Sequence, residues 1–211
     1  MKVISTNIGK ATTIVWNNKK EQTGIFKYPT LRAIRLEKNA VLGDTLVDKI
    51  HHGGINKACY LFSADYYGYW KERYPDLKWD WGMFGENLTI SGLDEAALGV
   101  GDIYKLGKTL VEITQPREPC YKLGVRFETQ KILKQFIKHN HPGTYIKILE
   151  EGKVHVNDTM VLFEKAKNRL TIQQFYETLY QKEKNQLTLQ LLMTCPNVEQ
   201  QYKNTLSKYL K

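Results

Sequence analysis

The chain is poor in cysteine and has no long apolar run. Its 211 residues include three cysteines, Cys59, Cys120 and Cys195, which are too few for a disulfide framework and too far apart for a Cys-x-x-Cys zinc motif. The opening residues, MKVISTNIGK, lack the apolar stretch of a secretory signal. No segment has the roughly 18 apolar residues that span a membrane. We therefore expect a cytoplasmic protein with free thiols and no membrane partner.

The charge is positive but not concentrated. Lys and Arg number 31 and Asp and Glu 22, a formal net charge of +9, yet no block of roughly five or six like charges occurs. A diffuse basic surface is typical of plain solubility or of a site for an anionic cofactor. We therefore expect no nucleic-acid partner.

Short runs of alternating or β-branched residues fill the chain to about Lys165. They include residues 1–8, 108–115 and 145–163, with Gly and Asp at the turns. Strands this closely spaced predict a mostly β fold, a barrel or a sandwich, with α-helices inserted. One inserted helix is expected between Ser63 and Pro75, and another within residues 127–143.

The pattern changes after residue 165. Thr171 and Asn197 are each followed three positions later by glutamine, which predicts two capping boxes. We expect residues 166–211 to form a segment of three short helices beside a domain of residues 1–165. A segment this small would not fold alone, so we expect it to pack on that domain or on a second copy in a homodimer.

The segment TQPREPCYKL places Cys120 beside two prolines. Pro116 and Pro119 fix φ and oppose further strand pairing, which predicts a rigid loop. Arg117 and Lys122 favour a thiolate, which serves as a nucleophile or a soft-metal ligand. A buried structural thiol explains the same residue, and the local sequence leaves both interpretations open.

Two other segments combine charge with glycine or apolar neighbours. His52-Gly53-Gly54, followed by Lys57, predicts a turn whose exposed N–H groups bind phosphate, or a plain surface turn. Lys27, set among aromatic residues, is either an anion-binding lysine or an outward-facing strand residue.

A third segment is polar and precedes a predicted strand. Glu86 and Asn87 follow Gly85, and a turn cap or an ion pair would account for both.

In this order, five segments resemble the MOSC domain family, named for the C-terminal domain of molybdenum cofactor sulfurases, and its YiiM-like branch. They are GIFKYP at 24–29, residues 43–58, FGENL at 84–88, GDIYKLG at 101–107 and QPREPC at 115–120. The resemblance covers nearly the whole chain. It implies a β-barrel-like fold that binds the molybdenum cofactor, a metal held by a phosphate-bearing molybdopterin.

The resemblance also implies roles for particular residues. Cys120 is implied as the molybdenum ligand or as a residue that handles sulfur beside the metal, and catalytic roles fall to Cys120, His52 and Arg117. The implied cofactor-binding residues are Lys27, His52, Gly53, Gly54, Lys57, Asn87, Arg117 and Lys147. At Lys147 the branch usually has arginine, which grips an anion with two parallel hydrogen bonds where lysine acts as a point charge.

The activity implied by the resemblance is reduction of N-hydroxylated compounds, such as N-hydroxylaminopurines, to amines. The chain has no GxGxxG motif and no ferredoxin-type cysteine cluster, so an external flavin or iron–sulfur reductase would supply the electrons. His52, Glu86 or Asp48 would supply protons. The alternatives are a cofactor or sulfur carrier without turnover, and a hydrolase pairing Cys120 with His52 or His51.

Overall fold

The computed structural model of the protein describes residues 1–45 and 54–211. Its strands are β1 (Lys2–Gly9), β2 (Thr12–Trp16), β3 (Lys19–Thr23), β4 (Lys27–Pro29), β5 (Ile34–Glu37), β6 (Ala40–Val41), β7 (Cys59–Ser63), β8 (Leu88–Ser91), β9 (Ile103–Leu106), β10 (Thr109–Pro116), β11 (Thr144–Glu150), β12 (Gly152–Val154) and β13 (Met160–Glu164). Its α-helices are α1 (Tyr67–Arg73), α2 (Tyr121–Arg126), α3 (Lys131–His139), α4 (Ile172–Tyr180), α5 (Gln186–Thr194) and α6 (Gln200–Leu206).

Eight strands form one mixed sheet in the order β13-β9-β10-β11-β7-β8-β1-β4. Its pairs are antiparallel except β7 with β8. The predicted mixture of strands and helices is confirmed, but the sheet is open and does not close into a barrel. An isolated bridge between Lys2 and Thr159 brings β1 beside the residues that precede β13. The sheet therefore curls towards closure without becoming a barrel.

Strand β7 is buried along its whole length and separates two apolar clusters. Cys59 and Leu61 belong to the larger cluster, and Tyr60 and Phe62 to an aromatic one that contains Trp70. Alternation along a strand sends successive side chains to opposite faces, so a strand covered on both faces is apolar throughout.

The C-terminal helices share the larger cluster with the sheet. Phe175, Leu189 and Leu192 are fully buried in the cluster that contains Val111 and Ile148. Residues 166–211 therefore pack on the sheet of their own chain.

Most helix signals in the sequence are confirmed. The Ser63 hydroxyl accepts from the Asp65 amide at the start of a short 3₁₀ turn that leads into α1. Thr171 and Gln174 form the predicted capping box. The prediction of a second capping box at Asn197 was wrong, because α6 begins after Glu199. Asn197 instead donates to Glu112 Oε1 at 2.8 Å, across to the sheet.

Several elements lack a sequence-based prediction, among them helix α2 and the β2–β3 hairpin. Helix α2 directly follows Cys120, where we expected only a rigid loop. The hairpin β2–β3 turns at Asn17 and Asn18, whose φ values are 48° and 60°. Two left-handed residues in a two-residue loop make the turn that matches strand twist, and asparagine tolerates that conformation better than most residues. Among the described helices, none is long and apolar enough to cross a membrane.

Candidate functional site

Cys120 lies where the sheet gives way to helix α2. Strand β10 pairs with β11 as far as Pro116, opposite Thr144. Cys120 is extended, at φ −122° and ψ 169°, and its carbonyl accepts from the Leu123 amide at 2.9 Å. The two prolines therefore end the strand as predicted, and Cys120 occupies the N-cap position of α2.

The three cysteines differ in exposure. Cys59 and Cys195 are buried, and burial raises the pKa of both thiols. Cys120 is partly exposed. Access to solvent makes Cys120 the thiol best placed to meet a ligand.

The Cys120 side chain opens onto a cleft between the β10–α2 junction and the N-terminal strands. The cleft includes about 790 Å³ of space outside protein atoms, part of it open solvent. Its lining residues are Thr23, Gly24, Ile25, Lys27, Ala40, Val41, Asp44, Thr45, Lys57, Ala58, Tyr60, Gly85, Asn87, Arg117, Cys120, Lys122 and Tyr145.

Arg117 is buried at the floor of this cleft. Its guanidinium carbon lies 5.4 Å from the ring centroid of Tyr60 and 5.6 Å from that of Phe136. Within the described residues, its buried Nη1 has no hydrogen-bond partner. A buried N–H without an acceptor is costly, and a guanidinium stays charged. Arg117 therefore brings a covered, unsatisfied donor to the edge of the cleft.

Lys27 also lines the cleft, but its charge is already paired. Its Nζ makes an ion pair with Asp44 in which both side chains are nearly buried. Asp44 also accepts from the Gly9 amide at 2.8 Å and from Asn87 Nδ2 at 2.9 Å. An anion approaching Lys27 would have to compete with this carboxylate.

Asn87 lies on the cleft wall with both ends of its amide engaged. Besides donating to Asp44, it accepts from the Tyr60 amide at 3.3 Å. These bonds connect the turn before β8 to β7.

Glu86, the neighbouring residue, points away from the cleft. Its carboxylate is fully buried and accepts from the Tyr67 hydroxyl, from the Gly82 amide at 2.9 Å and from the Phe84 amide at 3.1 Å. Thr89 donates to it at 2.8 Å. Burial raises the pKa of Glu86. Through these hydrogen bonds, Glu86 holds together the loop that precedes β8.

The remaining expected residues divide between the cleft wall and other places. Lys57 lines the cleft from the 3₁₀ turn after Gly54, whose φ of 105° suits glycine. Lys147 is not among the lining residues, and its Nζ lies 3.9 Å from Glu112 Oε2 on the sheet. His52 and Gly53 lie outside the described residues, as do His51 and Asp48.

Tyr145 is a cleft residue that the sequence did not single out. It lies on β11, and burial raises the pKa of its hydroxyl while neighbouring Arg117 partly offsets that rise. Its position in the cleft depends on the pairing of β10 with β11, which one strand alone does not reveal. The available sequence signal is the alternation along β11, in which Thr144 and Ile146 are buried and Tyr145 lies on the opposite face.

The N-terminal hairpin supports helix α2 from outside. The Tyr121 ring stacks on Trp16 with ring centroids 4.9 Å apart, and its hydroxyl donates to Glu21 Oε2 at 2.5 Å. The residue after Cys120 is therefore held by both strands of the β2–β3 hairpin.

The residues of the cleft fit a group that combines a phosphate with a soft metal. Arg117 offers a buried N–H without an acceptor, and Lys57 adds positive charge at the wall. Cys120 offers sulfur, a ligand that soft metals prefer. The cleft therefore has donors for both parts of such a group.

Comparison with known proteins identifies the family of the chain. The MOSC domain model matches residues 48–161. The chain is 33% identical to Uncharacterized protein YflK of Bacillus subtilis, over 81% of this chain and 77% of that protein. It is 36% identical to a protein named Reductase from Gibberella moniliformis, over 59% of this chain but only 23% of that protein.

A solved structure extends the likeness to the whole chain. The crystal structure of YiiM from Geobacillus stearothermophilus superposes with a TM-score of 0.81 at 28% identity, covering 100% of this chain and 99% of that one. The matched fold includes the C-terminal helices, which lie beyond the residues that the domain model matches. The chain therefore belongs to the MOSC domain family, in its YiiM-like branch.

Proposed function

We propose that the protein binds the molybdenum cofactor in this cleft and reduces N-hydroxylated compounds to amines. The observation that carries the proposal is the pairing of a partly exposed thiol, Cys120, with the buried and unpartnered N–H of Arg117 in one cleft. Membership of the MOSC family supports the choice of cofactor. The relative named Reductase supports a redox role, although the chain spans about a quarter of it.

Each part of the cofactor would have its own residues. Arg117 and Lys57 would bind the phosphate, and the Cys120 sulfur would bind the metal. When bound, the cofactor supplies a two-electron redox centre, which no side chain provides. Lys27 and Asn87 would shape the wall through Asp44.

The reaction needs two electrons and two protons. The N–O bond of R–NHOH breaks, and R–NH₂ and water form. A separate flavin or iron–sulfur reductase supplies the electrons. Tyr145, like any tyrosine, is protonated at neutral pH, and burial raises its pKa further. Its hydroxyl, at the cleft wall, would donate a hydrogen bond to the departing oxygen.

Metal analysis and a reduction assay test the proposal together. Protein made in a host that synthesises the cofactor should contain stoichiometric molybdenum and reduce 6-hydroxylaminopurine with an artificial electron donor. Cys120→Ser should lose the activity. Cys195→Ala, at a buried thiol outside the cleft, is the matched control and should keep it.

The results separate the proposal from a carrier role. Molybdenum in the protein without N–O reduction by several donors would favour a carrier of cofactor or sulfur. Full molybdenum content and activity in Cys120→Ser would rule out the thiolate as a required ligand.

A further inference from the structure

The first turn of helix α6 contacts both of the loops that bring positive charge to the cleft. Glu199 directly precedes the helix, and Tyr202 lies three positions further on, so the two side chains share one face. Glu199 bonds to the 3₁₀ turn that carries Lys57. Tyr202 bonds to the loop that carries Arg117 and Cys120. One turn of helix therefore joins the two parts of the candidate anion site.

The Tyr202 hydroxyl connects two side chains of the loop that carries the thiol. It donates to Glu118 Oε1 at 2.9 Å and accepts from Gln115 Nε2 at 2.8 Å. Gln115 and Glu118 stand on either side of Arg117 in the chain. Gln115 is buried, so the loss of this acceptor for its amide would be costly. The loop around Arg117 is therefore fixed from α6 at two points.

The 3₁₀ turn that carries Lys57 is held by a second pair of hydrogen bonds. Asn56 Nδ2 donates to Glu199 Oε1 at 2.7 Å, and the Asn56 carbonyl accepts from Thr114 Oγ1 at 2.6 Å. Asn56 is thus bonded to α6 through its side chain and to β10 through its backbone. The residue beside Lys57 therefore has a fixed place relative to the strand that leads to Cys120.

We propose that Glu199 and Tyr202 are positioning residues that set the distance between Lys57 and Arg117 and so determine how tightly a phosphate group binds. Neither of them lines the cleft, so both act through the residues that they hold. Binding groups must be held within about 0.5 Å of their productive places. The inference rests on the proposed function, because it concerns the same site. It also gives residues beyond the matched range 48–161 a part in forming that site.

Phosphate binding to the full-length protein without cofactor tests the two residues. Tyr202→Phe removes the hydroxyl and keeps the ring against Phe175, and it should weaken the affinity for inorganic phosphate about fivefold by calorimetry. Glu199→Ala should weaken this affinity about threefold, although the loss of a negative charge alone would favour the anion. Glu199→Gln keeps an acceptor for Asn56 and should retain the wild-type affinity.

Three comparisons separate positioning from a general loss of stability. Asn197→Ala removes another hydrogen bond of the C-terminal segment, to Glu112 on the sheet, and it should leave phosphate affinity unchanged. In the Arg117→Met background, Tyr202→Phe should have little further effect on phosphate affinity, because the group that it positions is gone. Amide hydrogen exchange of residues 115–123 should rise in Tyr202→Phe but not in Asn197→Ala.

Failure of this inference is distinct from failure of the proposed function. No phosphate binding by the wild type would overturn the inference even if the loaded protein reduces 6-hydroxylaminopurine, and unchanged affinity in Tyr202→Phe or in Glu199→Ala would overturn the role of that residue. Equal losses in Asn197→Ala and Tyr202→Phe would also overturn it, because they would reflect stability alone. The expected losses would support it even if that reduction is absent. If Tyr202→Phe does not fold, the comparison of Glu199→Ala with Glu199→Gln decides.

Discussion

Glu86 and Arg117 are both buried ionisable residues, yet they are satisfied in opposite ways. Glu86 receives hydrogen bonds from two backbone amides and two hydroxyls. Arg117 keeps one buried N–H without a partner among the described residues. Buried polar groups are almost always paired. The complete set at Glu86 is that of a structural residue, and the gap at Arg117 is the observation from which we propose that Arg117 binds a ligand.

The largest expected effect is on the satisfied member of this pair. Glu86→Ala would leave several buried donors without an acceptor, and we expect it to lower the free energy of unfolding by about 3 kcal/mol or more. Urea denaturation would measure the loss. Glu72→Ala, at an exposed glutamate of α1, is the matched control and should cost about 0.5 kcal/mol at most. Similar values for the two variants would contradict the role of Glu86.

At Arg117 we expect the opposite result: a substitution should change stability little and weaken ligand binding strongly. Arg117→Met removes the orphaned buried N–H and keeps apolar bulk against Tyr60 and Phe136, so stability should change by about 1 kcal/mol at most. The affinity for inorganic phosphate should fall at least about tenfold, because the buried donor is lost. Calorimetry would measure phosphate binding, and metal analysis would measure cofactor content.

Arg35→Met is the control for Arg117, since Arg35 lies on β5 outside the cleft and pairs with Glu37 and Glu151. It should leave phosphate affinity unchanged. A large loss of stability with normal phosphate binding in Arg117→Met would reverse the interpretation of the pair.

The smallest expected effect on stability is at His139, which adds a third case to the comparison of Glu86 with Arg117. Its buried Nδ1 also lacks a partner among the described residues. Burial, with the charges of His141 and Arg73, lowers the pKa of His139 to about 4. Histidine escapes the cost of an unpaired charge by staying neutral, whereas arginine does not. Of these two orphaned nitrogens, only the one on Arg117 belongs to a side chain whose charge persists.

The sign of the His139 effect follows from its pKa. The unfolded chain takes up a proton near pH 6.5 and the folded chain near pH 4, so stability is full above pH 6.5 and falls as the pH drops towards 4. Urea denaturation across this range would show the slope. Because the ion pair of His141 with Glu95 lies close to His139, the measurement is the difference between the wild type and His139→Gln, which should flatten the slope. His155→Gln, at an exposed histidine, should leave it unchanged.

Local patterns in the sequence predicted most of the fold. The alternation in β1 and β11 and the capping box at Thr171 depend on near neighbours, and all appear in the structure. Helix α2 has only six residues and contains Gly124, so its helical pattern is weak. The curl of the sheet depends on a contact between Lys2 and Thr159, which no local pattern encodes.

The residues of the candidate site also divide into those that a local sequence pattern predicts and those that depend on distant contacts. Cys120 and Arg117 were predicted because one short motif carries both. Tyr145 was missed because its place in the cleft arises from the pairing of β10 with β11. Lys147 resembles a family position, but its place on the sheet sets it beside Glu112. Charge type alone could not distinguish a lysine at the cleft from one on the neighbouring surface.

The contact of Tyr121 with the N-terminal hairpin ties the position of the thiol to the register of two distant strands. Trp16 and Glu21 reach the same ring from β2 and β3. A one-residue deletion in either strand would turn its contacting side chain to the opposite face. The ring next to Cys120 would then lose one of its two supports. A change in the length of the hairpin therefore alters the support of the residue next to Cys120, although the hairpin turn itself takes no part in the proposed reaction.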